Sequence, residues 1–182
     1  MDYQLFYRQL FEPLEALLGP IDKETIVAII GFDVGGPLNF CTIGAGNGAK
    51  FTTYVSCELA ARPEQLPARF GRYELSATCD DETWVRRILT RIGRTSEDVV
   101  FGHHHTLDIA AWVSADEPIQ GVVLEKLCTA EIDGENYGIL RCIGITRGEM
   151  EFKQMHGSNS LILELKHKGV YPNTEINRKS VL

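Results

Sequence analysis

The stretch RYELSATCDDETWVRRILTRIGR, Arg72 to Arg94, changes its hydrophobic period once, from two to about 3.6. Tyr73, Leu75, Ala77 and Cys79 alternate with Arg72, Glu74, Ser76 and Thr78, which predicts a strand with the first set inward and the second outward. Trp84, Val85, Ile88, Leu89 and Ile92 then recur at helical spacing. Asp80, Asp81 and Glu82 lie at the positive end of that helix, and Arg86, Arg87, Arg91 and Arg94 gather toward its negative end, as the helix dipole favours. A strand that runs directly into so amphipathic a helix can satisfy both only by packing helix on sheet.

Strands and helices elsewhere follow the same division. Phe6, Leu10, Leu14 and Leu17 predict an N-terminal helix, kinked or restarted at Pro13 and ended by Gly19-Pro20. TIVAIIGFD, Thr25 to Asp33, is apolar and β-branched, which predicts a buried strand. Alternation predicts a strand over residues 50–58, and further strands are expected over Leu107–Val113, Gly121–Leu127 and from Asn136 to Thr146. The DGEN turn at Asp133–Asn136 joins the last two as a hairpin with a long or bulged connection. TRGE at Thr146–Glu149 is a capping box opening a helix through His156, with a second helical segment around Leu161, Ile162 and Leu165. The tail from Tyr171 is polar and irregular. The expectation is an α+β fold, residues 1–182 forming one domain, with helices against a mainly antiparallel (mixed) sheet.

Chemistry-bearing motifs are sparse. Gly44, Gly46 and Gly48 fail the spacing of both phosphate-binding loops and precede a strand, not a helix. No nucleophile elbow is present. Cys41, Cys57, Cys79, Cys128 and Cys142 are odd in number and widely spaced, so they are expected as reduced thiols of a cytoplasmic protein. In VVFGHHHTLDIAAW an extended backbone puts His103 and His105 on one face and His104 on the other. A metal site at His103 and His105 would need a further ligand, Asp108 or Asp116, because His156 and His167 lie on distant helical segments. No cofactor and no catalysis are expected, with a metal-dependent enzyme built on His103 and His105 as the alternative. A net charge of −7 disfavours nucleic acid and suits a cationic protein partner. No apolar run is long enough to span a bilayer, and the acidic N-terminus lacks the features of a signal peptide.

Several ordered phrases resemble the suppressor-of-fused family, especially its compact bacterial members. They are KFTTYVSCEL, RYELSATCDDETWVRRIL, FGHHHTL, GILRCIGITRGEMEFKQMHG and NTEINRKSV. The resemblance rests on Thr53 and Ser56, Tyr73 to Leu75, Trp84, Gly102-His103, Ile145 to Glu149 and Arg178 to Ser180, and covers about residues 50–182. The run of three histidines departs from the family's single Gly-His pair. What it implies is a non-enzymatic protein-binding domain. In animals the family's regulator sequesters a transcription factor of the Hedgehog pathway with the help of a second domain. Short bacterial members are thought to act as immunity proteins that neutralise a toxin. Here the partner expected is a protein, a basic toxin domain, met by Asp80, Asp81, Glu82, Asp116 and Glu117. A structural subunit of a larger assembly is the remaining alternative, and the oligomeric state is left open.

Overall fold

The computed structural model describes every residue except Met1, Lys23 and Thr25. Four helices, α1 (Tyr3–Leu18), α2 (Glu82–Thr95), α3 (Arg147–His156) and α4 (Ser158–His167), pack on a sheet of seven strands. The strands are β1 (Phe40–Ile43), β2 (Thr53–Ser56), β3 (Arg72–Cys79), β4 (Thr106–Asp108), β5 (Ile119–Ile132), β6 (Glu135–Thr146) and β7 (Asn173–Thr174). Their order is β1-β2-β3-β6-β5-β4, with β7 beside β3. Among the described residues only the β3–β6 and β3–β7 pairs are parallel. The sheet is therefore mixed and mainly antiparallel, as the alternating segments require.

The Arg72–Arg94 switch is realised residue by residue. Asp81 caps α2 through a 2.6 Å bond from the Trp84 amide, and Trp84, Val85, Ile88, Leu89 and Ile92 are all buried. They pack on Tyr73, Leu75, Ala77 and Cys79 of β3 and on Leu140 and Cys142 of β6. The residues expected to face outward are buried as well: Glu74, Ser76 and Thr78 are at most 1% exposed. A second layer accounts for this. On the opposite face α1 packs with Val55, Tyr137 and Ile139, and α3 and α4 pack with Val123, Ile143 and Ile145. Alternation along β3 reports two different packings, not an inside and an outside.

Three segments depart from expectation. The run from Thr25 to Asp33 is not a strand; Thr25 itself lies outside the described residues. Ile26 makes a single bridge to Phe40, and a 3-10 turn occupies Phe32–Val34. The loop closes where Gly36 donates to the Gly31 carbonyl. A Cβ at Gly36 would stand 1.7 Å from the Ile30 carbonyl oxygen, so only glycine permits that closure. The DGEN connection is tight instead of long: Ile132 pairs with Glu135 across Asp133 and Gly134, both at positive φ, and the two register shifts sit inside β5, between Ile119 and Gly121 and between Lys126 and Cys128. Finally, β4 stops at Asp108, whose carboxylate accepts from the Ala110 amide and turns the chain into a 3-10 segment at Ala110–Trp112.

Candidate interaction face

The segment expected to be a buried strand is the most exposed apolar part of the described chain. Val27 is 67% exposed, Ile30 57%, Val34 78%, and Ile29 stands fully in solvent. Its β-branched residues meet no second strand beyond the Ile26 bridge, so β-propensity has nothing to pair with. The loop is nonetheless tightly held. Phe32, buried, lies between two guanidinium groups, that of Arg94 at 4.3 Å and that of Arg62 at 5.0 Å from the ring centre. Arg94 donates to the carbonyls of Phe32 (2.9 Å) and Gly36 (2.8 Å), Arg62 pairs with Asp33, and the Ala28 amide donates to Asn39. An apolar surface fixed from below is what a pre-organised protein contact requires, because little ordering entropy remains to be lost on binding.

Beside this loop the solvent face of α2 forms an open groove of about 790 Å³. Gly35, Pro37, Thr90, Arg86, Arg87 and Arg91 are among its walls. Arg91 lies 6.0 Å from the Trp112 ring. The five carboxylates singled out from sequence surround this helix in different roles. Glu82 pairs with Arg86 at 3.5 Å, and Arg87 Nη2 donates to both carboxylate oxygens of Glu117, at 2.9 and 3.1 Å. Asp80 accepts from the Ile176 amide at 3.1 Å, holding the tail, and Asp116 is exposed on its loop. Asp81 is the α2 cap. Its replacement by alanine is expected to lower stability by about 1 kcal/mol, which a urea titration would resolve. Glu82 and Glu117 thus each pair with an arginine of α2, Arg86 and Arg87.

The histidines occupy a turn, not an extended strand. His104 has a φ of 70°, and the His103 and His104 rings lie 3.6 Å apart, so the neighbours stack where His103 and His105 were expected to share a face. His103 Nδ1 accepts from the Lys126 amide at 3.0 Å, and the backbone of His104 and His105 bonds to Leu124. Burial, then the neighbouring His103, lowers the pKa of His104. Among the described residues no group of three or more His, Cys, Asp or Glu side chains gathers as a metal site would.

One serine–carboxylate pair has the connectivity of a nucleophile and its base. Ser56 donates to Glu74, which also accepts from the Tyr7 hydroxyl (2.9 Å) and the Ala60 amide (2.7 Å). Both Ser56 and Glu74 are fully buried, beneath α1, where no substrate reaches them. They join α1 to the sheet. The apolar loop was missed in the sequence because a β-branched run signals burial; the flanking Gly31 and Gly35-Gly36 were the signal of a loop.

Residues 36–179 match the family described as Suppressor of fused protein (SUFU). A chain of the Sufu–Fu complex crystal structure superposes with a TM-score of 0.70 at 13% identity, covering 98% of this chain and 91% of that one. Drosophila Suppressor of Fused superposes with a TM-score of 0.71 at 13% identity, over 96% of this chain and 51% of that one; this chain spans about half its length. No curated protein matches in sequence. At such identity the likeness carries the fold and transfers no site residue.

Proposed function

We propose, from the premise that this chain belongs to the suppressor of fused family, that it acts by stoichiometric protein binding and not by catalysis, with the Val27–Val34 loop as its central contact. The observation that carries this reading is an apolar loop that is solvent-exposed yet fixed by Phe32 between Arg62 and Arg94. The Sufu–Fu complex supplies a precedent for a partner on this fold. The finer reading is an immunity protein: one domain that binds and neutralises a toxin domain in the cytoplasm. A net charge of −7 supports attraction of a basic toxin, and Asp80, Asp81, Glu82, Asp116 and Glu117 are the acidic residues assigned to that attraction. Among the described residues no helix is long and apolar enough to cross a membrane.

Capture from native lysate with a C-terminal epitope tag, with metal analysis of the same sample, tests this. Wild type should retain one protein partner in one-to-one ratio without stoichiometric metal. The double variant Ile29→Asp/Ile30→Asp should bind that partner at least ~30-fold more weakly, the scale of a hot spot, with its melting midpoint unchanged because both side chains face water. Equal affinity of the two proteins would remove the loop from the interface. Stoichiometric metal without a partner would overturn the binding reading itself.

A further inference from the structure

Cys41 on β1 and Cys57 just beyond β2 are the two cysteines that the fold brings together. Cys41 stands opposite Val55, two residues from Cys57, so both side chains leave neighbouring antiparallel strands on the same face, toward α1. The ladder continues to Cys57, whose amide donates to the Asn39 carbonyl at 3.2 Å, which makes the two thiols diagonal neighbours on that face. Cys57 also lines a cavity of about 350 Å³, open to solvent, between Tyr3, Tyr7, Glu58 and Arg62. None of the five cysteines is in a disulfide.

We propose that Cys41 and Cys57 form a reversible modification site, closed to a disulfide by a peroxide that enters through the Cys57 cavity. The Cys57 sulfur attacks one peroxide oxygen, the O–O bond breaks, and a sulfenic acid and one water result. The Cys41 thiol then attacks that sulfur, the S–O bond breaks, and a second water leaves with the S–S bond formed. Two thiols and one peroxide thus give one disulfide and two waters. Selectivity comes from placement: Cys41 and Cys57 share the cluster under α1, whereas Cys79 and Cys142 are buried in the α2 core on the other face. The contact with Cys41, then burial, holds the Cys57 thiol protonated, so the reaction is slow compared with that of an exposed low-pKa thiol. The linkage would staple the edge strand to its neighbour at Asn39, the residue that accepts from Ala28 of the apolar loop. The proposal requires no partner.

The folded full chain, treated with hydrogen peroxide, then quenched with an alkylating agent in denaturant and digested, provides the test by peptide mass spectrometry. The expected product is a Cys41–Cys57 linked peptide lighter by two hydrogens, reversed by dithiothreitol, with Cys79, Cys128 and Cys142 alkylated. In Cys57→Ser no linked peptide should form, and in Cys41→Ser Cys57 should stop at sulfenic acid or be over-oxidised. No link in wild type after Cys57 is fully oxidised, or equal linkage of either residue to Cys128, would overturn the proposal.

Discussion

Arg178→Ala is expected to destabilise the fold by about 3–5 kcal/mol, the usual consequence of stranding one member of a buried ion pair. Arg178 grips Glu149 with both guanidinium nitrogens, at 2.5 and 2.7 Å, and donates to the Gly144 carbonyl at 3.0 Å. Glu149 is fully buried and the Arg178 side chain is 8% exposed. The same carboxylate accepts from the Thr146 and Val181 amides, so it closes the capping box of α3 and fastens the tail at once. Burial alone would raise the pKa of Glu149; the hydrogen bonds and charge of Arg178, with the two amides, outweigh it and hold it below the ordinary value. A depressed folded pKa contributes stability that is present above the unfolded carboxyl value, about 4.3, and is lost as pH falls through the folded one. Urea unfolding at neutral pH should show the loss in the variant, and the gap between variant and wild type should narrow in acid. A loss under about 1 kcal/mol at neutral pH would contradict the account of the tail.

Glu74 should impose the opposite pH dependence. It is fully buried, with Tyr7, Ser56 and Ala60 as donors. Burial raises its pKa from 4.5 to about 7, although the hydrogen bonds from Ser56, Ala60 and Tyr7 pull it back down. Between those values the folded chain holds a proton that the unfolded chain has released, so stability is greatest below the unfolded pKa and falls as pH rises through the folded one. The gap corresponds to about 3 kcal/mol. Wild type should therefore lose about 3 kcal/mol more than Glu74→Gln as pH rises from 4.5 to about 7, measured as the difference between their urea-unfolding free energies. Parallel pH profiles would mean that Glu74 is not the group that titrates.

Much of the fold was legible because its elements announce themselves locally. The period change at Arg72–Arg94, the capping box at Thr146–Glu149 and the Gly157 break each map onto an element boundary. What was not legible depended on the third dimension. The alternation in β3 gave the register of its side chains, yet Glu74, Ser76 and Thr78 are covered by a layer contributed by α1 and the C-terminal part of the chain. Strand β1 was hidden inside a glycine-rich stretch because its four residues are defined by pairing with β2, not by pattern. The tail read as irregular, yet it adds the short strand β7 beside β3, and its Arg178 fills a buried position that no local periodicity encodes. At the candidate face the error ran the other way: Val27, Ile29 and Ile30 have core composition and surface position. The acidic residues were placed correctly at the α2 start, but intramolecular partners for Glu82 and Glu117 are contributed by arginines whose proximity emerges only with the helix.

Hydrogen–deuterium exchange of the chain alone and with its captured partner tests the central claim most directly. The account predicts slowed exchange over residues 26–37 and along the solvent face of α2 when the partner is bound, with the β5–β6 hairpin unchanged. Protection confined to the His103–His105 turn or to the opposite side of the sheet, with residues 26–37 exchanging as freely as before, would contradict it.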